Sequence, residues 1–378
     1  MINSMSIEEK IGQMFMVGIE GTEINDHIKK LIQKYKVSGF ILYRKNYNSY
    51  NDMLRLIKEL KKLNSENKVP LFIAIDQEGG RVNRMPSEIH NLLSANQIAS
   101  TQDIQIIKES GAITGELLQK SGYNLDFSPV LDVLQEKTSV AIGNRSYGKT
   151  PEQVSEYGIE VMKQLQKRNI ISVIKHFPGQ GAAKSDSHYL LPRIKDISSQ
   201  DIKPFENAIK EGADIIMVGH MIINSVNKFL PASLSKEMIN MLRTEYNFKG
   251  VIMTDDLKMR AIRYFYGTKK ALKKAIIAGN DLILFRFNKR TEKSSIESII
   301  NLVKKGEIEE KRIDESVERI VALKQKYGLN DNRPIDGCNI EEINKRIDFV
   351  NEFAKSTWQF TIKIIYYKGR EIYLIKIF

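Results

Sequence analysis

Short apolar runs alternate along most of the chain with stretches in which apolar residues recur at helical spacing. The eight runs are residues 14–19, 37–43, 70–75, 123–133, 171–175, 213–220, 250–254 and 281–287. Residues 151–169 and 235–248 are examples of the helical stretches between them. Strands that alternate with helices predict parallel βα units. Eight such units in roughly 290 residues favour an α/β fold of the (β/α)₈ barrel type, with a doubly wound open sheet as the alternative.

The alternation ends after the eighth run. A closing helix is predicted within residues 308–328, with Gly328 as its stop. A further helix is predicted over 339–353, and residues 357–378 read as two β-like runs around Lys368-Gly369.

Two regions follow from this pattern. We expect residues 1–330 to form the barrel and residues 331–378 to form a C-terminal extension or the remnant of a truncated second α/β domain. The many apolar and aromatic residues of the tail predict that it packs on the barrel or mediates self-association.

Composition narrows the possible function. With 42% hydrophobic and 28% charged residues, the chain is typical of a globular protein. Its net charge is +12, but the lysines are spread along helical stretches and no recognition motif accompanies them, so a nucleic-acid partner is not predicted. Cys338 is the only cysteine, which excludes an internal disulfide, and five dispersed histidines do not indicate a metal site. No secretory signal or membrane span is recognisable, so we expect a cytoplasmic protein.

Polar residues follow several of the predicted strands directly. They are Asp76 with Glu78, Arg81 and Arg84; Lys175-His176; His220; and Thr254-Asp255-Asp256. The C-terminal ends of the strands form the active-site rim of a (β/α)₈ barrel. A single acidic residue after a strand is often only a helix N-cap, and this alternative stays open for Asp255 and Asp256.

The loop after Lys175-His176 places Asp186 two residues before His188. A retaining glycosidase needs a carboxylate nucleophile and a separate proton donor near the leaving oxygen. Histidine can donate that proton, and a carboxylate bonded to its other ring nitrogen fixes the tautomer. Asp186 and His188 therefore suit glycosyl transfer, although a solvated loop with ordinary polar residues is the plain alternative.

Four segments resemble the bacterial β-N-acetylglucosaminidases of glycoside hydrolase family 3. They read IAIDQEGGRVNRM, GNRSYG, KHFPGQGAAKSDSH and PASLSKEMINMLRTEYNFKGVIMTDDLKM, and they follow one another in the family's order. The resemblance covers about residues 5–330.

The resemblance implies specific roles. Asp255 would be the nucleophile, His188 the general acid/base and Asp186 its partner. The residues implied to bind the terminal sugar are Asp76, Arg84, Arg145, Lys175 and His176. Asp256 is expected to be structural.

The chain departs from the family pattern in two places. Gln180 and Ala182 stand where relatives have His and Asp, which affects the geometry of the loop that carries the dyad. Some relatives continue into a second α/β domain, and residues 353–369 resemble the segment that leads to it. The sequence ends at Phe378, so we expect this domain to be absent or cut short.

The resemblance implies a retaining exo-hydrolase that removes terminal β-linked N-acetylglucosamine, with peptidoglycan (muropeptide) fragments as expected substrates. No metal or organic cofactor is expected. The alternatives are a family 3 β-glucosidase, a phosphorylase in which phosphate replaces water, or a sugar-binding barrel without catalysis.

Overall fold

The computed structural model describes residues 2–135, 141–181, 191–286 and 289–365. Its strands are β1 Phe15–Gly18, β2 Gly39–Ile41, β3 Phe72–Ile75, β4 Leu125–Asp126, β5 Ile171–Phe177, β6 Arg193–Ile194, β7 Ile215–Val218, β8 Ile222–Ile223, β9 Val251–Thr254 and β10 Ile283–Phe285. Its α-helices are α1 Ile7–Gln13, α2 Asp26–Gln33, α3 Tyr50–Asn64, α4 Ala95–Ala99, α5 Ile104–Lys120, α6 Pro151–Lys167, α7 Ser199–Lys210, α8 Lys236–Thr244, α9 Arg260–Tyr266, α10 Thr268–Ala278, α11 Lys289–Lys304, α12 Glu310–Lys326 and α13 Ile340–Ile365.

Eight of the strands form one parallel sheet that curls into a barrel. Their order is β10-β1-β2-β3-β4-β5-β7-β9. At the closing seam, Met253 bridges Leu282 in parallel register, and the Thr254 amide donates to the Leu282 carbonyl at 3.0 Å. The predicted (β/α)₈ barrel is confirmed, and the open sheet is excluded. The strands β6 and β8 form a separate two-stranded sheet beside the barrel.

Alternate residues of the strands point into the barrel and fill it with apolar side chains. These residues include Met16, Ile41, Ala74, Leu125, Val173, Met217, Met253 and Leu284. Helix α12 closes the N-terminal end of the barrel, since its Ile320 and Leu323 join the same cluster. Lys324 of this helix is fully buried there and donates to the Ser38 carbonyl at 2.8 Å and to Gln13 Oε1 at 3.0 Å.

Helix starts follow ordinary capping chemistry. The Ser49 hydroxyl accepts the Asp52 amide at the start of α3. Thr150 caps α6 in the same way, and Pro151 occupies the first helical position, where its missing N–H costs nothing. These caps fix where each helix leaves the preceding strand or loop.

Two sequence-based predictions need correction. The predicted strand at 123–133 forms a regular strand only at Leu125–Asp126, because Pro129 has no amide donor to continue it; beyond Pro129 the segment contacts β5 again through an isolated bridge between Val130 and Lys175. The first β-like run of the tail is wrong as well, because α13 continues to Ile365. No Gly or Pro interrupts residues 340–365, and extending a formed helix carries no new nucleation cost. The second run lies outside the described residues.

Helix α13 packs on the outside of the barrel. Its Arg346 donates to Glu109 at 2.8 Å and to Glu116 at 2.7 Å, both on α5. None of the helices in the described ranges is long and apolar enough to cross a membrane.

Candidate active site

Lys175 is the centre of an ion-paired cluster at the C-terminal ends of β3 and β5. Its ammonium lies 2.6 Å from Asp76 Oδ1 and 2.5 Å from Glu78 Oε1. Arg145 makes a bidentate pair with Glu78, with both N···O distances at 2.7 Å. Arg84 contacts the second oxygen of Asp76 at 3.4 Å. The loops after two neighbouring strands and a distant 3₁₀ turn therefore converge on one site.

The cluster alternates in charge from the interior to the solvent. Only 3% of the Lys175 side chain and 5% of the Glu78 side chain is exposed, whereas Asp76 and Arg84 are 21% and 26% exposed. Burial alone would raise the pKa of Glu78, but the charges of Arg145 and Lys175 outweigh it and hold this pKa well below its usual range. The outer pair, Asp76 and Arg84, is the part that a ligand can reach.

A hydrogen bond to Asp132 fixes the imidazole of His176. Its Nδ1 lies 2.7 Å from Asp132 Oδ2, so Nδ1 carries the proton and donates to the carboxylate. The other oxygen of Asp132 accepts the Gln180 amide at 2.6 Å. Asp132 itself is fully buried. One carboxylate thus orients the imidazole and anchors the beginning of the following loop.

Asp255 follows β9 directly, on the same rim. Its amide donates to the Val218 carbonyl of β7 at 3.0 Å, and its Oδ1 accepts the Asp256 amide at 2.7 Å. The residue is half-buried, so its carboxylate is fixed by backbone contacts while part of it remains accessible.

Asp256 connects two loops of the rim by hydrogen bonds to their backbone. Its Oδ1 accepts the amides of Lys258 and Arg286, both at 2.9 Å, and so ties the loop after β9 to the end of β10. Burial raises the pKa of Asp256 to about 6. His220 reinforces this loop, because its Nε2–H donates to the Asp256 carbonyl while Nδ1 accepts the Ser233 hydroxyl.

Tyr43 connects the two halves of the rim. Its ring lies under the guanidinium groups of Arg84 and Arg286, at 6.0 and 5.1 Å from their central carbons. Burial raises the pKa of its hydroxyl far above the usual value, and the charges of Asp256 and Asp76 add to the shift. Since Arg84 pairs with Asp76 after β3 and the Arg286 amide binds Asp256 after β9, the Tyr43 ring lies between these two strand ends.

Asp126, at the end of β4, lies beneath the cluster. Its Oδ1 accepts the Gln77 amide at 3.0 Å. Burial raises its pKa well above the usual range even though Lys175 is near.

The structure brings together six of the eight predicted site residues: Asp76, Arg84, Arg145, Lys175, His176 and Asp255 all belong to this rim. Asp186 and His188 lie outside the described residues, as does Ala182. The loop that carries them begins at Gly181, where an added Cβ would lie 1.6 Å from the Val133 carbonyl oxygen. Gln180 is buried at this start.

Sequence reasoning assigned no role to three residues that organise the site. Glu78 lies in the segment IAIDQEGGRVNRM, and its position two residues after Asp76 could have indicated a place on the rim. Asp132 fell inside a predicted strand, and Tyr43 ended an apolar run. Their roles depend on contacts with residues at least 41 positions away, which spacing along the chain does not reveal.

No metal centre is evident in this part of the molecule. Within the described residues, no group of three or more His, Cys, Asp or Glu side chains is placed to hold an ion. The described part of the rim presents carboxylates, an imidazole and cations.

Comparisons with known proteins agree on one family. The model of the glycosyl hydrolase family 3 N-terminal domain matches residues 6–323. The β-hexosaminidase LpqI of Mycobacterium tuberculosis is 29% identical over 331 residues, covering 85% of this chain and 83% of the relative. A β-hexosaminidase of Nitrosomonas eutropha is 32% identical over 279 residues, covering 71% of this chain and 79% of the relative.

A solved structure shows the same architecture. The family 3 β-N-acetylglucosaminidase of a Paenibacillus species superposes with a TM-score of 0.87 at 33% identity. The match covers 93% of this chain and 69% of that protein. Because the family model matches most of the barrel and the solved relative shares its fold, the chain belongs to glycoside hydrolase family 3.

Proposed function

We propose that the protein is a retaining exo-β-N-acetylglucosaminidase. The observation that carries the proposal is the alternating cluster Asp76–Lys175–Glu78–Arg145 on the rim that also holds Asp255. The names of the relatives, β-hexosaminidase and β-N-acetylglucosaminidase, support the same substrate class.

The cluster suits the hydroxyl groups of a terminal sugar. Asp76 accepts from Lys175 and Arg84, and its oxygens have further lone pairs for hydroxyl donors. Arg145 uses three of its five N–H groups on Glu78 and the Ala141 carbonyl, which leaves two for a ligand. A sugar whose hydroxyls were already substituted would leave these buried polar groups unpaired, so the site favours chain ends.

The proposed reaction has two steps. The Asp255 carboxylate attacks the anomeric carbon, the glycosidic C–O bond breaks, and His188 protonates the leaving oxygen. His188 then removes a proton from water, whose oxygen replaces Asp255 at the anomeric carbon. Asp186 keeps the imidazole of His188 in the required tautomer, and His176 binds the sugar in the orientation that Asp132 gives it. No metal or organic cofactor takes part.

Peptidoglycan fragments are the proposed natural substrates, since they present terminal β-linked N-acetylglucosamine. A cytoplasmic location fits hydrolysis of fragments that have already been released from the wall.

A chromogenic assay tests the proposal. The protein is incubated with nitrophenyl β-N-acetylglucosaminide and, separately, with nitrophenyl β-glucoside, each with and without phosphate. We expect nitrophenol and free N-acetylglucosamine from the first substrate, at a rate independent of phosphate. A faster reaction with the glucoside would indicate a β-glucosidase, and a sugar 1-phosphate product would indicate a phosphorylase. Sugar binding without release of nitrophenol from either substrate would contradict an enzymatic role.

A further inference from the structure

A second cavity lies at the opposite end of the barrel from the candidate active site. It has a volume of about 360 Å³, within the range of small-molecule sites. Asn124 and Asn169, which line it, precede β4 and β5, so the cavity faces the N-terminal ends of these strands. We call it the basal pocket; its other walls include Lys61, Lys120, Leu329, Arg333, Ile335 and Asp336.

Lys61 is the most informative residue of the basal pocket. It lies on α3 and is only 8% exposed. Within the part of the chain that the structure describes, its ammonium makes no hydrogen bond or ion pair. Burial lowers the pKa of Lys61, and Arg333 lowers it further while Asp331 opposes the shift. Asp331 does not neutralise it by contact, because its oxygens accept the Leu71 amide and the Asn64 side chain.

The charge balance of the pocket is positive. Lys61, Lys120 and Arg333 face two acidic residues, Asp336 in the lining and Asp331 behind Lys61, and none of the three cations forms an ion pair with a carboxylate of the described residues. Lys61 and Arg333 are close enough to disfavour each other's charge. Most of the Lys61 side chain is buried and its ammonium lies beside a second cation, so an anion in the pocket would offset a cost that Asp331 only partly balances.

The walls of the pocket are fixed before any ligand enters. The Gly337 amide donates to the Lys120 carbonyl at 3.1 Å, and the Cys338 amide donates to the Tyr50 hydroxyl at 2.9 Å. Ile335 packs so closely on Gly122 that an added Cβ there would lie 2.5 Å from its methyl group. These contacts hold the segment around Arg333 against α3 and α5.

We propose that the basal pocket binds a small phosphate monoester, with the phosphate at Lys61 and Arg333. The cations outnumber the carboxylates even when Asp331 behind Lys61 is counted with Asp336, so the pocket favours an anion. A phosphate monoester is negatively charged at neutral pH and offers several acceptor oxygens to Lys61 and Arg333 together. The volume exceeds what inorganic phosphate fills, so the ligand has an organic part of about monosaccharide size. Leu329 and Ile335 offer that part an apolar wall, and Gln119 offers it an amide.

Calorimetric titration with glucose 6-phosphate tests the site directly. Glucose serves as the neutral probe and gluconate as the singly charged carboxylate, all in excess N-acetylglucosamine so that the candidate active site is occupied. Lys61→Met and Arg333→Gln remove the proposed contacts, and Lys62→Met is the matched control on the solvent side of the same helix. Arg333 is exposed, so its variant keeps the fold even if Lys61→Met does not. Thermal unfolding by circular dichroism checks both.

We expect saturable binding of glucose 6-phosphate that weakens roughly tenfold or more in Lys61→Met and Arg333→Gln and is unchanged in Lys62→Met, as the loss of a charged hydrogen bond requires. Absence of saturation up to about 10 mM would overturn the proposal. The proposal would also be overturned if glucose bound equally well or gluconate bound more tightly. An unchanged affinity for glucose 6-phosphate in a folded Arg333→Gln variant would overturn it too. Because binding is measured without turnover, the result does not depend on the glycosidase proposal.

Discussion

At the scale of single residues, Glu78 contributes most to the organisation of the rim. It separates Lys175 from Arg145, two cations that would otherwise lie side by side in a region closed to water. Removing one partner of a buried ion pair typically costs about 3–5 kcal/mol, because the remaining charge stays unpaired. Glu78 therefore determines where the ammonium that contacts Asp76 sits.

The first prediction concerns Glu78→Gln. The neutral amide keeps the shape of the side chain but cannot balance Lys175 and Arg145, so kcat/KM for the nitrophenyl N-acetylglucosaminide should fall by about 100-fold or more. The free energy of unfolding in urea should fall by about 3 kcal/mol. Glu59→Gln, on an exposed helical pair, is the control and should change stability by less than about 0.5 kcal/mol. Wild-type kcat/KM in Glu78→Gln would show that the cluster does not position the substrate.

Sequence reasoning located the strand-end residues but not their partners. Asp76, Lys175 and Asp255 each follow or end an apolar run. A barrel places residues at the strand ends on one rim, regardless of the length of the loops between the strands. Glu78 and Asp132 act through contacts with residues 67 and 44 positions away, which only the closed barrel brings together.

Among the structural elements, the loop after β5 and helix α13 contribute to the candidate active site in different ways. The loop begins from an anchored residue, since the Gln180 amide donates to buried Asp132. His176 shares this carboxylate, so Asp132 connects the imidazole proposed to bind the sugar with the start of this loop.

The second prediction tests the acid/base role of His188 in that loop. A nitrophenolate leaves with little protonation, whereas a sugar alcohol needs full protonation. His188→Ala should therefore reduce hydrolysis of N-acetylglucosamine disaccharides at least tenfold more than hydrolysis of the nitrophenyl substrate. Both rates are measured on the same preparation, with Asp186→Ala expected to show the same ordering more weakly. Equal losses on both substrates would assign His188 to binding.

Helix α13 supports the active-site loop from outside. Its Asn351 accepts the Leu93 amide at 2.9 Å and donates to the Asn91 carbonyl at 2.9 Å, and Asn91 in turn donates to the Gly80 carbonyl at 2.7 Å. Gly80 lies two residues after Glu78. The expectation of a β-like tail failed over its first part because β-branched and aromatic residues also continue a helix that has already formed.

The third prediction compares two truncations. Ending the chain after Ser356 keeps the contacts of Asn351 and Arg346, so activity should stay within about twofold of the full chain while solubility improves. Ending it after Asn339 removes all of α13 and should lower the urea midpoint and kcat/KM together. A soluble, folded chain ending at Ser356 without activity would show that the tail contributes to the site.

At the scale of the whole molecule, α12 seals the barrel end opposite the rim with a buried lysine. The Lys324 ammonium contacts the Phe72 ring face at 4.4 Å, and burial lowers its pKa to about 7 from 10.5. Below pH 7, Lys324 is charged in both the folded and the unfolded protein, so the free energy of unfolding is lowered by the full cost of burying the charge. Between pH 7 and 10.5 the unfolded chain binds the additional proton, so this contribution to stability rises with pH.

The fourth prediction follows from this sign. Lys324→Met removes the titration, so the stability of the wild type relative to the variant should increase by roughly 1.4 kcal/mol per pH unit above pH 7 and level off near pH 10.5. Urea unfolding of both proteins at several pH values measures the difference, in which all other titrating groups cancel. A difference that is constant with pH would mean that Lys324 keeps its ordinary pKa in the folded protein.

The proposed reaction requires that Asp255 form a covalent bond to the anomeric carbon of N-acetylglucosamine. A fluorinated N-acetylglucosaminide with a good leaving group slows breakdown of this intermediate, so that mass spectrometry of the digested protein can locate the sugar. We expect one attached fluorinated N-acetylglucosaminyl group on Asp255, with none in Asp255→Asn and normal labelling in Asp256→Asn. A label on Asp256 or another residue, or turnover of Asp255→Asn at the wild-type rate, would contradict it.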